Sequence, residues 1–315
     1  MTTTRFEELG TDALSHDGDA LKVSDERIAK LLLATGALQI DVGDLDVDRF
    51  AVFNRLLIRR PAEYREAATP RTQFADRVWS ATDLPGTQSI GPHNESSYRL
   101  VWPGRILFGC VDAPETGGET LLTDVQSVHD DLPVELVEEF RRRDWLLVRN
   151  YQSGFGRDWR DAFSTDSPDD VDRYCRTNQI KADWPGDDVL RTRQVRHAVT
   201  AHPVTGASLW FNHVVFWHAS SLEPSHREFL TSEFGEDGLP FATYYGDGGV
   251  IPDAVVAEIR NAYARNTIAY PWRPGMLMLL DNMRVAHGRR PYTGKRTILV
   301  GMGDEIERQP AGVDA

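Results

Sequence analysis

Residues 276–289 read MLMLLDNMRVAHGR, an apolar run that reaches an Asp-Asn turn and then returns as a second run. A short, strongly apolar segment bounded by turn residues is typical of a buried strand. The returning run predicts a second strand beside it, and this second run holds His287. We therefore expect a buried pair of strands with a histidine at its centre.

Short β-like runs separated by turn residues also occur elsewhere from about residue 87 onward, and such spacing predicts a sandwich or barrel. The predicted strands of this region are 98–102, 106–111, 120–124, 209–216, 276–280 and 297–302. Apolar spacing and start signals predict helices at 25–37, 47–57, 132–142 and 226–234, with a strand at 37–42. The predicted fold class is α+β, a β core with flanking helices.

Length and composition limit the classes of protein that this chain can represent. The chain has 315 residues and a formal net charge of -13, which argues against binding to nucleic acid. No apolar run approaches the roughly 20 residues of a membrane span, and the polar N-terminus does not resemble a secretory signal. Two cysteines, Cys110 and Cys175, are too few for a disulfide scaffold. We expect a cytoplasmic protein that does not bind membranes.

No linker rich in Pro, Gly or Ser is long enough to separate two domains. The sequence therefore predicts a single domain over residues 1–315. Within it, residues 1–24 read as an N-terminal arm and residues 306–315 as a tail.

Three His-x-acid patterns occur, at 93–95, 129–131 and 226–228, where chance alone predicts one or two. Side chains at i and i+2 point the same way on a strand, whereas on a helix they diverge by about 200°. The second and third patterns lie at or inside predicted helices. Only His93 and Glu95, which precede a strand-like run, are placed to share a metal ion.

A third ligand is needed to complete a catalytic iron site of the 2-His-1-carboxylate type, which leaves the opposite face open for substrate and oxygen. His287 is the best candidate for this ligand. A structural histidine that is hydrogen-bonded in a loop is the alternative at this stage.

Arg296 lies nine residues after His287, across a turn that carries Pro291 and Gly294. A hairpin of this kind brings the start of the next strand beside the ligand. The cosubstrate 2-oxoglutarate chelates iron at one end and needs a fixed cation for its far carboxylate. Arginine matches a carboxylate with two hydrogen bonds and stays charged when buried. The alternative is a surface arginine that pairs with Asp304 or Glu305.

Several separate blocks, in this order, resemble the taurine dioxygenase/clavaminate synthase superfamily. Within it, the subgroup that contains the syringomycin aspartyl β-hydroxylase is the most similar. The resemblance extends from about residue 76 to residue 304. Its specific blocks are GPHNE at 91–95, APETGGET at 113–120, HPVTG at 202–206, WFN at 210–212, YGDG at 245–248, and DN at 281–282 followed by HGR at 287–289 and GKR at 294–296.

This resemblance implies a double-stranded β-helix, or jelly roll, that binds Fe(II) through His93, Glu95 and His287. It also implies that Arg296 binds 2-oxoglutarate and that Thr120 donates a hydrogen bond to it. Related halogenases carry a small residue in place of the carboxylate ligand, which frees a position for chloride. The presence of Glu95 therefore favours hydroxylation.

The resemblance further implies that the substrate is an amino acid, hydroxylated at an unactivated carbon in natural-product assembly. Asn212, Arg289 and Arg193 are the candidate substrate contacts, although each could equally have a structural role. The amino acid could be free or tethered to a peptidyl carrier protein. Carrier proteins are typically acidic, so the net charge of -13 favours a free amino acid.

Two rival functions remain at this stage. One is a jelly-roll binding protein that has kept the motifs without catalysis. The other uses the same iron and 2-oxoglutarate chemistry for desaturation or ring closure. The run 288–295 superficially resembles a phosphate-binding loop, but its glycine spacing is wrong and Arg296 replaces the Ser or Thr.

Overall fold

The computed structural model describes residues 7–9, 24–62, 66, 69, 71–151, 157–186, 188–235 and 238–308. Within these ranges the helices are α1 Asp25–Thr35, α2 Val47–Leu57, α3 Val125–Asp131, α4 Val134–Arg143, α5 Trp159–Phe163, α6 Pro168–Thr177, α7 Pro224–Phe234 and α8 Asp253–Arg265. None of these helices has both the length and the apolar character needed to cross a membrane.

The strands of the same ranges are mostly short. They are β1 Glu7–Leu9, β2 Ala37–Asp41, β3 Gln73–Ala75, β4 Val78–Ser80, β5 Ile90–His93, β6 Val101–Trp102, β7 Arg105–Asp112, β8 Thr116–Gly117, β9 Thr120–Asp124, β10 Trp145–Tyr151, β11 Lys181–Gly186, β12 Val189–Arg196, β13 Val199–Ala201, β14 Ser208–Trp210, β15 Phe241–Tyr245, β16 Thr267–Tyr270, β17 Met276–Asp281, β18 Val285–Arg289, β19 Tyr292–Thr293, β20 Thr297–Gly303 and β21 Ile306–Glu307.

The chain divides into two compact units. The first consists of Met1–Glu63, Pro70–Asp124 and Asn266–Ala315, and the second of Tyr64–Thr69 and Val125–Arg265. The prediction of a single domain stays a prediction. Within the predicted arm, β1 pairs in parallel with β2, and within the predicted tail, β21 pairs with β6. Residues 1–6, 10–23 and 309–315 lie outside the described residues.

Two sheets form the core of the first unit, which also contains the two-stranded pairs β19-β8 and β21-β6. The larger has the strand order β1-β2-β17-β7-β20-β4-β3, and the smaller has the order β16-β9-β18-β5. Apart from the parallel pair β1 and β2, the neighbouring strands of both sheets are antiparallel. This arrangement is the expected α+β fold with a jelly-roll core.

Side-chain alternation gives the larger sheet two different faces. On one face, Leu107 and Leu299 pack in a core with Phe50 and Phe53 of α2. On the other, the neighbouring residues Phe108 and Ile298 line a cavity together with residues of the smaller sheet. One face of the sheet therefore stabilises the unit, while the other forms the wall of a binding site.

The helices of the first unit begin where the sequence places capping residues. The Ser24 hydroxyl accepts a hydrogen bond from the Arg27 amide at the start of α1, and Asp46 caps α2 in the same way. Gly36 ends α1 with a φ of +79°, a conformation that favours glycine. The helix α2 has the predicted bounds.

The second unit contains the sheet β11-β12-β10-β15, the hairpin β13-β14 and the helices α3 to α8. The two cysteines are buried and not bonded as a disulfide, one in each unit. Burial raises the pKa of both Cys110 and Cys175 to about 12. They are therefore neutral thiols at physiological pH, as expected for small core side chains.

Two strand predictions need correction, and four helices of the described ranges were not predicted. The predicted strands 98–102 and 209–216 shrink to Val101–Trp102 and Ser208–Trp210, because turns occupy the remaining residues. The helices that were not predicted are Val125–Asp131, Trp159–Phe163, Pro168–Thr177 and Asp253–Arg265.

Candidate iron and 2-oxoglutarate site

His93 ends the edge strand β5 of the smaller sheet and lies opposite His287 on β18. The Nδ1 atom of His93 is 3.0 Å from the Gly91 carbonyl oxygen. This contact orients the ring so that Nε2 is the nitrogen available to a metal. Burial lowers the pKa of His93, although Glu95 acts in the opposite direction. The ring is therefore neutral at pH 7, as metal binding requires.

Glu95 lies in the turn after β5, two residues beyond His93. The strand spacing used to predict this chelating pair was therefore wrong, because only His93 is on a strand. The turn is held by Asn282, which lies in the connection between β17 and β18. Its side-chain oxygen accepts from the Glu95 amide at 2.8 Å, and its amide nitrogen donates to the Glu95 carbonyl at 2.9 Å and to the Pro103 carbonyl at 2.7 Å.

A second asparagine strengthens this connection. The side-chain nitrogen of Asn94 donates to the backbone carbonyls of Asn282 at 2.7 Å and Met283 at 3.3 Å. Both asparagines are fully buried. The Asp-Asn turn at 281–282 therefore connects the two halves of the split site, since it fixes the turn of Glu95 and leads directly into the strand of His287.

His93, Glu95 and His287 bring one potential ligand atom each to within 4.8 Å of one another. The two imidazole rings are 4.6 Å apart between centroids, and Phe108 packs against the His287 ring at 5.1 Å. Among the described residues, no other group of three or more such side chains is close enough to hold a metal ion. Two imidazoles and one carboxylate are the donor set of a facial iron triad, so the residues present fit Fe(II).

Arg71 is a residue of this site that the sequence did not indicate. Its Nη2 atom donates to Glu95 Oε2 at 2.7 Å, and its side chain is only 4% exposed. It lines the cavity that also contains His93 and His287. No motif surrounds Arg71, and its partner is 24 positions away, so no signal in the sequence pointed to this ion pair.

His93 and His287 line a cavity that is open to solvent, with about 430 Å³ of space free of protein atoms, part of which is open solvent. Arg296 forms part of its wall and is partly buried. Its Nε donates to the Gly118 carbonyl at 3.2 Å, and its guanidinium lies 5.5 Å from the Tyr292 ring. Within the described part of the chain, it has no carboxylate partner. The predicted alternative of a surface arginine paired with Asp304 or Glu305 is therefore not what the structure shows.

Burial lowers the pKa of Arg296 to about 10, and the nearby guanidinium of Arg289 contributes to this shift. The side chain is still positively charged at pH 7. A cation in the wall of a cavity, without an acidic partner from the described chain, fits a carboxylate ligand such as the far end of 2-oxoglutarate. Thr120 lines the same cavity and accepts a hydrogen bond from Trp272 Nε1 at 2.8 Å.

Gly118 shows why the Gly-Gly pair before Thr120 matters. Its φ is +71°, and an added Cβ would lie 2.7 Å from Pro114 and 3.2 Å from Arg296 Cδ. Any other residue would therefore strain the backbone and displace the arginine side chain.

The three predicted substrate contacts have different surroundings. Arg289 lines the cavity, and its guanidinium donates to the carbonyls of Leu84, Pro85 and Gln88. Asn212 is buried in the second unit, where it donates to the Ala198 carbonyl and accepts from the Val214 amide. Arg193 lies on β12 of that unit. In the structure, Arg289 and Asn212 have structural roles. The assignment of these two residues and Arg193 to substrate binding stays a prediction.

The other His-x-acid patterns differ from the candidate site in their surroundings. His129 lies inside α3, not before a helix as predicted, and its Nδ1 is 2.9 Å from Asp130. His226 lies in α7, and its side chain is outside the described part of the structure.

The jelly-roll core, the clustered imidazoles and carboxylate, and the cationic cavity define the class of non-haem iron oxygenases. Residues 4–302 match the sequence model of the Taurine catabolism dioxygenase TauD, TfdA family, and the chain belongs to this family. The protein is an Fe(II)- and 2-oxoglutarate-dependent dioxygenase.

Individual relatives agree with this assignment. The chain is 34% identical over 284 residues to the dapdiamide synthesis protein DdaC of Enterobacter agglomerans, an alignment that covers 90% of this chain and 86% of the relative. It is 26% identical over 253 residues to a clavaminate synthase-like protein of Arabidopsis thaliana, with coverages of 76% and 72%.

A solved structure shows a similar fold. PvcB, described as an Fe, alpha-ketoglutarate dependent oxygenase from an isonitrile synthetic pathway, superimposes with a TM-score of 0.50 at 16% identity. The superposition covers 92% of this chain and 84% of that chain.

Asn282 offers a test of how the two halves of the site are connected. Each buried polar group that loses its partner costs about 1–3 kcal/mol, so we expect Asn282→Ala to lower the free energy of unfolding by about 2–4 kcal/mol. We also expect it to weaken Mn(II) binding, because the Glu95 turn is no longer fixed. Urea denaturation and calorimetric titration with Mn(II) measure the two effects.

The matched control is Asn212→Ala, which removes two local hydrogen bonds of a buried asparagine in the second unit. It should lower stability and leave the affinity for Mn(II) unchanged. Wild-type metal affinity in Asn282→Ala would show that the turn of Glu95 does not depend on this side chain.

Proposed function

We propose that this protein hydroxylates an unactivated carbon of an amino acid in natural-product biosynthesis. In this proposal, His93, Glu95 and His287 bind Fe(II), while Arg296 and Thr120 bind 2-oxoglutarate. One observation carries the proposal: three potential ligand atoms lie within 4.8 Å of one another beside a cavity whose wall contains a cation without an acidic partner from the described chain.

Each side chain of the cavity would have a distinct task. When bound, the iron and 2-oxoglutarate supply the oxidising power, with succinate and CO2 as coproducts. The two histidines and Glu95 would hold the metal on one face, and Arg71 would fix the carboxylate of Glu95 through their ion pair. Arg296 would bind the far carboxylate of 2-oxoglutarate. Phe108 and Ile298 line the cavity, and their apolar side chains would help to exclude water once the ligands are bound.

The substrate class is supported by the relative that takes part in dapdiamide synthesis, which is 34% identical over most of both chains. We propose that the substrate is a free amino acid rather than one bound to a carrier protein. The basic cluster at 141–143 would be the natural contact for an acidic carrier protein. However, Arg143 already pairs with Asp247 and Glu139, and Arg141 lies 3.5 Å from Glu138. These pairs reduce the positive charge available to a partner.

The test is anaerobic reconstitution with Fe(II) and 2-oxoglutarate, followed by exposure to oxygen with a panel of free and carrier-loaded amino acids. We expect one or more free amino acids to stimulate succinate release and to gain one oxygen atom, as measured by mass spectrometry. Reactions without a panel member measure the uncoupled background.

The outcomes separate the alternatives. A product that has lost two hydrogen atoms would assign desaturation or ring closure to the same site. Stimulation by carrier-loaded substrates alone would reverse the preference for free amino acids. If no member stimulates succinate release above background, the proposed substrate class is wrong.

A further inference from the structure

We propose that Trp272 is a positioning residue for 2-oxoglutarate, because it forces the Thr120 hydroxyl to donate its hydrogen into the cavity. This inference rests on the proposed role of Thr120 in binding the cosubstrate and extends it to a residue that does not itself line the cavity. The observation behind it is the buried hydrogen bond between Trp272 Nε1 and Thr120 Oγ1, which is 2.8 Å long.

The direction of this hydrogen bond is fixed by chemistry. An indole nitrogen can only donate, whereas a threonine hydroxyl can donate once and accept twice. Thr120 is therefore the acceptor in this pair, and its own hydrogen must point elsewhere. No acceptor for that hydrogen is found in the described ranges of the chain.

The position of Thr120 shows where its hydrogen can be used. Thr120 begins β9, between Tyr270 on β16 and Arg289 on β18. It lines the cavity together with Arg296, and its side chain is buried. A hydroxyl donor and a guanidinium in one wall form a pair of donors suited to a carboxylate ligand.

The local sequence explains why Trp272 is in place. It follows Pro271 and precedes Arg273 and Pro274, in the segment that connects β16 to β17. Tyr270 is paired with Thr120, so a residue two positions later can fold back over the threonine. The indole ring is only 7% exposed, which protects the hydrogen bond from competition with water.

The experiment measures binding without turnover. Calorimetry determines the affinity of the Mn(II)-loaded protein for N-oxalylglycine, a 2-oxoglutarate analogue that is not decarboxylated, in wild type, Trp272→Phe, Thr120→Val and the double variant. Trp272→Phe leaves the Thr120 hydroxyl free to rotate, so only part of its hydrogen bond to the ligand is lost, and we expect binding to weaken by about five- to tenfold. Thr120→Val should weaken binding by at least as much. Affinity for Mn(II) alone should not change.

The double variant distinguishes positioning from packing. If Trp272 acts through the threonine hydroxyl, Trp272→Phe has no further effect once Thr120 is Val. In a Thr120→Ser background, which keeps the hydroxyl, Trp272→Phe should weaken binding as it does in the wild-type background. Equal losses in the wild-type and Thr120→Val backgrounds would show that the indole acts through packing and would overturn the inference.

Other outcomes separate this inference from the proposed function. Wild-type affinity in Trp272→Phe, together with weak binding in Thr120→Val, would reject the role of Trp272 and leave the cosubstrate site intact. Wild-type affinity in Thr120→Val would reject the role of Thr120 itself. If Trp272→Phe does not fold, the comparison of Trp272→His, which keeps a ring N–H, with Trp272→Leu, which lacks one, tests the same point.

Discussion

Arg296→Met is expected to weaken 2-oxoglutarate binding by about 30-fold or more, because truncating one partner of a desolvated, hydrogen-bonded charge pair costs about 2–5 kcal/mol. The methionine side chain keeps much of the volume and removes the cation. Since Arg296 has no acidic partner among the described residues, its loss leaves no buried carboxylate behind in the free protein. The folded state should therefore remain stable while the cosubstrate affinity falls.

The measurement is calorimetric titration of Mn(II)-loaded protein with N-oxalylglycine, together with the KM for 2-oxoglutarate once a substrate is known. Arg296→Lys keeps the charge without the planar pair of donors. Its affinity for N-oxalylglycine should therefore lie between those of the wild type and Arg296→Met. Arg105→Met is the matched control, because Arg105 pairs with Asp304 and donates to the Leu57 carbonyl. An unchanged affinity in Arg296→Met would remove the arginine from the cosubstrate site.

Glu95→Ala is expected to abolish substrate-dependent succinate release and to weaken Mn(II) binding by more than about 100-fold, because it removes the only anionic ligand of the triad. It also removes the ion pair with Arg71, which leaves a positive charge close to the metal position. Both effects disfavour the binding of a divalent cation. Because Glu95→Ala causes both changes, we expect a larger loss of Mn(II) affinity than from substitution of either histidine alone.

Glu95→Asp tests how strict the geometry is, since its carboxylate is present but one methylene shorter. It should keep part of the metal affinity. The control for removing an acid near this site is Glu115→Ala, because Glu115 is exposed and outside the candidate triad. Turnover at the wild-type rate in Glu95→Ala would contradict the iron assignment.

Much of the β core could be predicted from the sequence, because apolar alternation and turn residues reflect local preferences. The apolar runs before and after the Asp-Asn turn are both strands. The expectation that they pair with each other was wrong, because β17 belongs to the larger sheet and β18 to the smaller one. The proximity of Arg296 to His287 was predicted from a hairpin, and that hairpin is wrong, because β18 lies in the smaller sheet and β20 in the larger one. The structure places both in the wall of one cavity.

Other features of the site could not be predicted, because they depend on contacts between distant parts of the chain. Asn282 and Glu95 are 187 positions apart, and Arg71 is a cation in a segment without any motif. The hydrogen bond from Trp272 to Thr120 connects residues 152 positions apart. The pairing of His93 with Glu95 was predicted from strand geometry, whereas a turn fixed by Asn282 actually positions the glutamate.

The helix Asp253–Arg265 illustrates a different limit. Only Val256, Ile259, Ala262 and Tyr263 are buried, and charged residues between them interrupt the apolar pattern. Its spacing of three and four residues is helical, yet no element was predicted for this segment. Which of its residues are buried becomes clear only from its neighbours in space.

The most direct test of the central claim is a crystal structure of the protein with Mn(II) and N-oxalylglycine. We predict an anomalous peak for the metal that is coordinated by His93, Glu95 and His287, with the far carboxylate of the analogue paired with Arg296 and hydrogen-bonded to Thr120. A metal bound by other side chains, or an analogue whose far carboxylate pairs with Arg71 or Arg289 instead, would contradict this account.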